Sequence, residues 1–289
     1  MRINEHICVS TEKVVLVPYN AHHVPKYHEW MKDPHIQEAT ASEPLTLAEE
    51  HAMQRSWRND GDKLTFIICR PFHRMHTNGD DNLADHGTVA SWDHARLEAE
   101  LDAMVGDVNL FISTVEGEDM HPDGMNEIHT DSTTTSTSTS AVNPSIEIGE
   151  LELMIAETPH RRKGLGKTAL LTFLEYIVRH EGEILEEFHR GGSSPEPAQH
   201  GITDVAGGRR QFGYFTVKIS SSNRGSIALF ESLGFTKTSE QESYFGEFEL
   251  RLNREILIGE QGREVGKAYR EALYECSCAA CLGSEEPVL

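Results

Sequence analysis

One stretch decides the fold: ELELMIAETPHRRKGLGKT, residues 150–168. Apolar residues alternate at its start, as in a half-buried strand, and a polar turn with two glycines follows. Over residues 164–179 the apolar spacing then changes to the period of a helix. The stretch therefore predicts a strand, a glycine loop and a helix in direct succession.

The glycine loop has the properties of an anion-binding site. Gly164 and Gly166 permit a close backbone approach to a ligand, and the first turn of a helix presents free N–H groups with a favourable dipole. We interpret the loop as a cradle for a diphosphate; a plain structural turn is the alternative. The residues of the candidate cradle are Arg161, Arg162, Lys163, Gly164, Leu165, Gly166 and Lys167.

Two common nucleotide-binding motifs do not match. A Walker A motif would need glycine at position 161, where this chain has Arg161. A dinucleotide-binding Gly-x-Gly-x-x-Gly fingerprint would need its third glycine at position 169, which is Ala169. The sequence therefore disfavours a nucleoside triphosphatase and a dinucleotide-dependent dehydrogenase.

Composition narrows the functional classes further. The 289 residues carry a formal charge of −21, which argues against a nucleic-acid partner, because phosphate neutralisation needs basic surface. No run of 18 apolar residues and no secretory signal occurs, so no membrane partner is expected. The five cysteines are an odd number, and Cys276, Cys278 and Cys281 have no nearby histidine to complete a zinc site. These features favour the cytoplasm, with the nucleus as an alternative, and no bound metal.

The pattern of segments predicts one domain with polar insertions. Segments 74–104, 114–145 and 181–213 are predicted to be disordered loops inserted in a domain of residues 1–253. A polar, cysteine-containing tail spans residues 254–289. The other segments alternate as β-α-α-β-β-β-α-β-α-β, which predicts an α/β fold with a mixed sheet and helices on both faces. The predicted strands span 13–18, 64–69, 107–112, 146–155, 212–219 and 244–252, and the predicted helices span 22–31, 46–57, 164–179 and 223–233.

Several motifs resemble one enzyme superfamily. Arg161-x-x-Gly164-x-Gly166, between a strand and a helix, resembles the acetyl-CoA loop of the GNAT superfamily of N-acetyltransferases. Asn223-x-x-Ser226 follows the next predicted strand, and a Leu-Gly-Phe triplet at 233–235 completes the second block. The resemblance covers most of the predicted domain outside the insertions. The N-acetyltransferase 9-like group of the superfamily is similar to this chain at VVLVPY (14–19), HVPKYHEWMK (23–32), TASEPLTL (40–47) and GDVNLF (106–111).

The resemblance implies an acetyl-CoA-dependent N-acetyltransferase with a mostly antiparallel central sheet flanked by helices. In this superfamily the acceptor amine attacks the thioester directly in a ternary complex, and the strand before the loop splays away from its neighbour. By resemblance, the amides of Met154 and Ile155 pair with the pantetheine arm, and one of them polarises the thioester carbonyl. The resemblance also places Asn223 and Ser226 beside the cofactor, although Asn223 could equally cap the helix.

Two glutamates before the loop are the candidate general bases. Period-2 alternation puts Glu150, Glu152 and Met154 on one face of the strand. If that face lines the acceptor site, one carboxylate could take the amine proton; a solvated strand face is the alternative. The next strand offers no carboxylate between residues 212 and 222, so the earlier strand has to supply the base.

The usual acid of the superfamily is missing. A tyrosine often protonates the leaving thiolate in these enzymes, and the matching position is Phe230, which has no proton to give. This departure motivates a second hypothesis, a GNAT-fold binding or regulatory module with little turnover.

For an enzyme, the sequence favours the α-amine of a protein or peptide as acceptor. Deprotonation at pH 7 costs about 1 kcal/mol for an α-amine and about 4.6 kcal/mol for lysine.

Overall fold

The computed structural model describes residues 1–72, 94–115, 145–191, 210–253 and 268–275. Within these ranges the chain forms one nine-stranded sheet and seven α-helices. The strands are β1 (Ile7–Ser10), β2 (Val15–Pro18), β3 (Lys63–Cys69), β4 (Met104–Val115), β5 (Ile146–Ile155), β6 (Tyr214–Ser220), β7 (Thr236–Lys237), β8 (Glu247–Asn253) and β9 (Arg270–Leu273). The helices are α1 (Val24–Met31), α2 (Pro34–Ala39), α3 (Leu47–Asn59), α4 (His94–Ala103), α5 (Leu165–Arg179), α6 (Glu181–Gly191) and α7 (Arg224–Glu231).

The strand order puts a parallel pair inside an antiparallel sheet. The order is β7-β8-β6-β5-β4-β3-β2-β1-β9, and every neighbouring pair is antiparallel except β5 with β6. Those two strands pair only between residues 148–150 and 214–216. Beyond residue 150 they share no register, so the strands diverge toward their carboxyl ends. The predicted α/β fold, with a mixed and mostly antiparallel sheet, is confirmed.

Helices cover the two faces of the sheet to different extents. On one face, the rings of Phe173 and Tyr176 of α5 pack edge-on against Phe66 of β3 in the larger core cluster. On the other face, Trp30 of α1 joins Ile67 of β3 in a second cluster. The charged side chains of β5 and β6 on this second face stay exposed or half-buried. We call this accessible part of the second face, beside α1, the cleft.

Local sequence fixes the ends of three helices. Thr46 and Glu49 form the predicted capping box at α3: the Glu49 N–H donates to the Thr46 hydroxyl, and the Thr46 N–H donates to the Glu49 carboxylate at 2.8 Å. Gly164 before α5 has a φ of 80°, and Gly234 after α7 has a φ of 94°. Glycine adopts these left-handed conformations without a steric penalty, so both positions favour it.

Two of the predicted insertions contain packed helices. Helix α4 lies inside the segment predicted as a loop over 74–104, and its Glu100 is completely buried. Helix α6 opens the 181–213 segment, and its Ile184 and Leu185 belong to the core. The prediction of disordered loops is therefore wrong for these two helices. A short helix needs only one apolar or buried stripe to pack against an existing core, so its overall composition can remain polar. Residues 116–144 of the insertion predicted over 114–145, which include a run of serines and threonines at 132–140, lie outside the described residues.

The structure also extends into the predicted tail and into the third insertion. Strand β9 pairs antiparallel with β1 at the sheet edge, and Tyr274 after it is buried. The prediction of a polar tail from residue 254 onward is thus wrong for 268–275, while the three cysteines of the tail lie outside the described ranges. Strand β4 continues to Val115, just inside the insertion predicted over 114–145. Among the helices that the structure describes, none is long and apolar enough to span a bilayer.

Candidate active site

The gap between β5 and β6 exposes backbone amides of β5. The peptide groups of a strand point alternately toward its two neighbours. The Ala156 N–H donates to the Val105 carbonyl of β4, and the Glu147 carbonyl accepts from the Gly213 N–H just before β6. Even-numbered residues of β5 therefore turn their peptide groups toward β4, and odd-numbered residues turn theirs toward β6.

Leu153 and Ile155 consequently present their N–H groups to the gap, because β6 no longer pairs with β5 there. The expectation for Ile155 agrees with this geometry. The expectation for Met154 needs correction, since its amide faces β4 and only its buried side chain lies on the cleft face. Sequence reasoning missed Leu153 because the direction of each amide depends on which strand lies on which side.

The glycine loop leaves the start of α5 open to an anion. Gly164 is the N-cap residue, and no side chain caps the helix. The first helical hydrogen bond runs from the Thr168 N–H to the Gly164 carbonyl, so the N–H groups of residues 165–167 have no acceptor within the helix. A Cβ at Gly164 would meet nothing within 4 Å, whereas one at Gly166 would lie 3.3 Å from the Leu153 side chain. A side chain at position 166 would therefore press on Leu153, so packing against β5 also favours glycine there.

The cations of the loop divide into two groups. Arg161 donates from Nε and Nη2 to the carbonyls of Ile155 and Ala156, at 2.7 and 3.1 Å. Arg161 therefore holds the end of β5, a contact that the motif alone did not predict. Arg162 and Lys163 are exposed at the loop, where their charges favour a bound anion.

The second predicted cofactor block lies at the start of α7. The Ser226 N–H donates to Oδ1 of Asn223 at 3.1 Å, so the capping alternative accounts for the Asn223 side chain. The Arg162 guanidinium lies 3.7 Å from the position that a Cβ on Gly225 would take. The glycine loop and the start of α7 are therefore neighbours, and Ser226 and Lys167 are half-buried on these two helices.

One face of β4 and β5 carries the carboxylates of the cleft. Asn109 is opposite Glu152 in the antiparallel register, and Asp107 is opposite Met154. Residues opposite each other in a sheet share a face, and so do residues two apart on one strand. Glu150, Glu152 and Met154 therefore share one face, as the alternation predicts, and Asp107 lies on it as well.

Glu150 and Glu152 differ in their surroundings. Lys218 of β6 donates from Nζ to Glu150 Oε2 at 2.7 Å, and both side chains are partly exposed. Glu152 makes no hydrogen bond to any residue that the structure describes. Its side chain is accessible, but protein atoms surround it at the cleft floor, and this partial desolvation raises its pKa to about 7, aided by the negative charges of Asp107 and Glu150. Glu152 is the better placed of the two to accept a proton.

Asp107 lies on the cleft face, although no role was predicted for it. It is 2% exposed, and burial raises its pKa to about 6. Its Oδ2 accepts hydrogen bonds from Asn109 Nδ2 at 2.9 Å and from the Tyr27 hydroxyl at 3.3 Å. The available signal was GDVNLF at 106–111, where two polar residues alternate in an otherwise apolar strand.

Phe230 belongs to the core. It is 3% exposed and packs edge-to-face against Phe235, with ring centroids 5.1 Å apart. A phenyl ring in this position supplies packing and no proton. The chain therefore lacks a side-chain acid at the position where the superfamily often has one.

A buried histidine pair contacts the carboxylate of Glu100. Glu100 Oε1 is 3.0 Å from His22 Nε2 and 2.7 Å from His23 Nε2, and the Tyr274 hydroxyl donates to it at 2.9 Å. Three such ligand-bearing side chains could suggest a metal site. However, His23 Nδ1 accepts the Asn20 N–H at 3.0 Å, which leaves the single proton of the neutral ring on Nε2. That nitrogen donates to Glu100 and has no lone pair for a cation, so we interpret the cluster as a buried hydrogen-bonded carboxylate.

Comparisons with known proteins identify the family of the chain. The family model described as "Acetyltransferase (GNAT) domain" matches residues 13–236. The "N-acetyltransferase 9-like protein" of Schizosaccharomyces pombe is 36% identical over 88% of this chain and 99% of its own length. Other relatives are named "Alpha/beta-tubulin-N-acetyltransferase 9", among them the following two. That of Drosophila melanogaster is 35% identical over 89% of this chain and 90% of its own length. That of Homo sapiens is 32% identical over 95% of this chain and 99% of its own length.

Proposed function

The chain belongs to the GNAT acetyltransferase family and is an N-acetyltransferase with acetyl-CoA as cosubstrate, and we propose that it acetylates the α-amine of a protein by direct attack in a ternary complex. One observation carries the proposal: Glu152, an accessible carboxylate whose pKa is raised to about 7, lies on the strand whose amides face the open gap. A base and an array of N–H donors thus occupy one cleft.

The proposal gives the cosubstrate a place in the gap between β5 and β6. The N–H groups of Leu153 and Ile155 would donate to the pantetheine arm and to the acyl oxygen. Removing one such donor from an acyl-transfer site costs about 3 kcal/mol. The N–H groups of residues 165–167, with the charges of Arg162 and Lys163, would bind the diphosphate. Lys167 and Ser226 are proposed to lie beside it.

Glu152 accepts the first of the two protons that the acceptor nitrogen loses during the reaction. The acceptor ammonium loses one proton to the Glu152 carboxylate, and the freed nitrogen lone pair forms the C–N bond to the acyl carbon. The C–S bond breaks, its electron pair leaves on sulfur, and the thiolate takes up a second proton from the nitrogen through water. Glu152 then returns its proton to solvent, so each turnover releases one proton. Water replaces the side-chain acid that Phe230 cannot supply.

The basicity of Glu152 supports an α-amine as acceptor. Its pKa of about 7 lies close to that of an α-amine, about 7.7, so the proton transfer between them is nearly balanced. A lysine, with a pKa of about 10.4, would transfer its proton uphill by more than three units. The cleft therefore favours a protein N-terminus over a lysine side chain.

The relatives suggest which protein supplies the N-terminus. Two of them are named as acting on α/β-tubulin, and each covers most of this chain at more than 30% identity. We therefore propose tubulin as the acceptor and the cytoplasm as the place of reaction. The odd cysteine count, unsuited to a complete disulfide framework, is consistent with that compartment.

A second candidate function has one observation in its favour. Because Phe230 is buried against Phe235 and cannot act as an acid, the chain could hold acetyl-CoA as a binding or regulatory module with little turnover. This candidate predicts cofactor binding without peptide-dependent release of CoA.

A peptide assay separates the candidates. The full chain is incubated with acetyl-CoA and paired peptides from the tubulin N-termini, one with a free α-amine and one with a blocked α-amine and an internal lysine. Released thiol and peptide mass are followed. The proposal expects acetylation of the free peptides only, strongly reduced in Glu152→Gln and unchanged in Glu12→Gln, an exposed control. Acetylation of the blocked peptides would contradict the α-amine preference, and CoA binding without release from any peptide would favour the module.

A further inference from the structure

Asp107 lies beside the proposed base on the cleft face. Asn109 is directly opposite Glu152, and Asp107 is the next residue on that face of β4. The two carboxyl groups therefore occupy diagonal positions on neighbouring strands, where Cα atoms are about 7–8 Å apart. In the described part of the chain no cationic side chain pairs with Asp107, although a buried aspartate is normally paired with one.

Neutral donors hold the Asp107 carboxyl in place. The contacts from Asn109 and from the Tyr27 hydroxyl reach the same oxygen. The Tyr27 ring packs against Tyr19 and Trp30, with centroid distances of 5.2 and 6.1 Å. Hydrogen bonds from neutral groups fix the position of a carboxylate without cancelling its charge, so the charge remains effective at neighbouring groups.

Helix α1 fixes Tyr27 relative to both strands of the cleft. Lys26 Nζ donates to the carbonyl of Leu101 near the end of α4, at 2.7 Å, and to that of Met104 at the start of β4, at 3.2 Å. Trp30 Nε1 donates to Glu157 Oε1 at 2.9 Å, just beyond the end of β5. A helix tied at both points presents the Tyr27 hydroxyl to Asp107 at a constant position.

We propose that Asp107 is a positioning residue for the Glu152 base. Its negative charge, fixed by Tyr27 and Asn109, attracts the acceptor ammonium to the cleft floor and opposes ionisation of Glu152, which makes Glu152 the stronger base. Asp107 touches no reacting atom and acts through Glu152. This inference rests on the proposed function, because it assumes that Glu152 receives the amine proton.

Other charged groups on the cleft face have smaller or opposite effects. Asp107 is the largest electrostatic cause of the raised pKa of Glu152, followed by Glu150. Lys218 acts in the opposite direction and is bound to Glu150 at 2.7 Å, so these two largely offset each other. Removing Asp107 is therefore the substitution that should change Glu152 most.

The groups behind Asp107 provide a matched control. Burial raises the pKa values of Tyr19 and Tyr27 well above the usual range, so both hydroxyls stay neutral. Glu50 of α3 is 1% exposed and acts electrostatically on both tyrosines, but it is absent from the causes that shift Glu152. Glu50→Gln thus removes a buried carboxylate from the same cluster without changing the neighbours of Glu152.

The first test titrates Glu152 without any substrate. Carboxyl carbons of labelled glutamates are followed by NMR in the full chain, and the Glu152 signal is assigned by its loss in Glu152→Gln. In Asp107→Asn the midpoint of Glu152 should fall by about one pH unit, because the charged form is no longer repelled. Glu50→Gln should leave the midpoint unchanged. Asparagine has the shape of aspartate and keeps an acceptor for Tyr27, so the variant is expected to fold.

A second variant keeps the proposal falsifiable if Asp107→Asn does not fold. Tyr27→Phe removes one hydrogen bond from the carboxylate, so Asp107 holds its proton more readily and repels Glu152 less. The Glu152 midpoint should then shift in the same direction by a smaller amount. An unchanged midpoint in either folded variant would overturn the proposal.

The second test uses turnover and separates positioning from structure. In Asp107→Asn the acidic limb in the plot of kcat/KM against pH should move to lower pH, by the same amount as the NMR midpoint. The value of kcat/KM on the plateau should fall about tenfold. A purely structural Asp107 would lower Tm and leave both the limb and the midpoint in place, which would contradict the proposal. If the wild-type chain acetylates no peptide, the proposed function fails, and the NMR midpoint alone then decides whether Asp107 acts on Glu152.

Discussion

The Arg161 guanidinium binds the backbone carbonyl of Ile155 at 2.7 Å, and so ties the glycine loop to the last residue of β5. The N–H of the same Ile155 faces the gap in which we place the thioester. One residue of the loop therefore positions a backbone donor, while the exposed charges of Arg162 and Lys163 remain available to an anion. Arg161 contributes the position of the Ile155 N–H, and Arg162 and Lys163 contribute charge. A substitution can remove either contribution without the other.

Replacing Arg161 by lysine should impair catalysis more than coenzyme affinity. Lysine keeps the charge but cannot donate to two carbonyls in the planar geometry of a guanidinium. A small displacement of the strand end should lower kcat about tenfold and leave the Kd for CoA nearly unchanged. Steady-state kinetics and calorimetry measure the two effects. A weakened Kd with normal kcat would show that Arg161 is a phosphate ligand after all.

Reversing the charge of Arg162 or Lys163 should weaken CoA binding directly. An interaction between charges near a protein surface is worth on the order of 1 kcal/mol or more, so each reversal should raise Kd about tenfold at low salt. The difference should shrink in 0.5 M salt, because the charges are exposed and are screened. Arg55→Glu, an exposed reversal on α3, is the matched control. Equal affinities for all variants at low salt would remove the diphosphate from this loop.

Glu152→Gln should change the pH dependence of turnover. Only the ionised carboxylate accepts the amine proton, so wild-type kcat/KM should rise with pH through the Glu152 pKa of about 7. In the variant only the neutral amine reacts, so the rise should follow the acceptor pKa of about 7.7 instead, and kcat/KM at pH 7 should be lower by about 10²–10³. Glu150→Gln should have a smaller effect, since Glu150 is bound to Lys218. A Glu152→Gln variant that keeps the wild-type rate and pH profile would assign the base to another group.

The buried Glu100 cluster should make stability depend on pH. Burial opposes ionisation of Glu100, but hydrogen bonds from His22 and His23 outweigh it and lower the pKa of Glu100 to about 2. The pKa of His23 is lowered to about 4, mainly by burial. Both groups bind protons more weakly in the folded state than in the unfolded chain, where the pKa is near 6.5 for His23 and near 4.5 for Glu100. The cluster therefore contributes its full stability above these unfolded values. The contribution of His23 is lost as the pH falls toward 4, and that of Glu100 as the pH falls toward 2.

Glu100→Gln tests this cluster. Glutamine keeps the shape of glutamate but not its charge, and hydrogen bonds to a charged group are worth about 1.5–3 kcal/mol, so the variant should lose about 2 kcal/mol at pH 7. The acid-dependent loss below pH 4.5 should become shallower. Tyr274→Phe, which removes a single donor, should cost about 1 kcal/mol. Denaturant unfolding at several pH values measures both. A Glu100→Gln variant as stable as the wild type at pH 7 would contradict the interpretation of the cluster.

Local pattern predicted the elements that bear the cofactor loop. Strand β5 has the predicted bounds, because its alternation is long and undisturbed, and the capping box of Thr46 and Glu49 starts α3 as expected. The shared face of Glu150 and Glu152 follows from the same alternation. These features depend on residues close together in the sequence, and there the sequence is sufficient.

Features that depend on distant neighbours could not be predicted. Asp107 lies beside Glu152 only because the register of β4 against β5 places it there. Likewise, the amide of Ile155 faces the gap because β6 lies on that side and diverges. Strand β9 has only four residues and depends on β1 for pairing. Arg161 matches a phosphate-binding motif, and only the fold shows that its guanidinium turns back to the strand.

The most direct measurement is a crystal structure of the full chain with CoA. We expect the pantetheine arm between β5 and β6, hydrogen-bonded to the Ile155 N–H. The diphosphate should lie at the N–H groups of residues 165–167, and the thiol on the side of the sheet that carries Glu152. A coenzyme bound outside this gap, or a thiol on the opposite face from Glu152, would contradict this expectation.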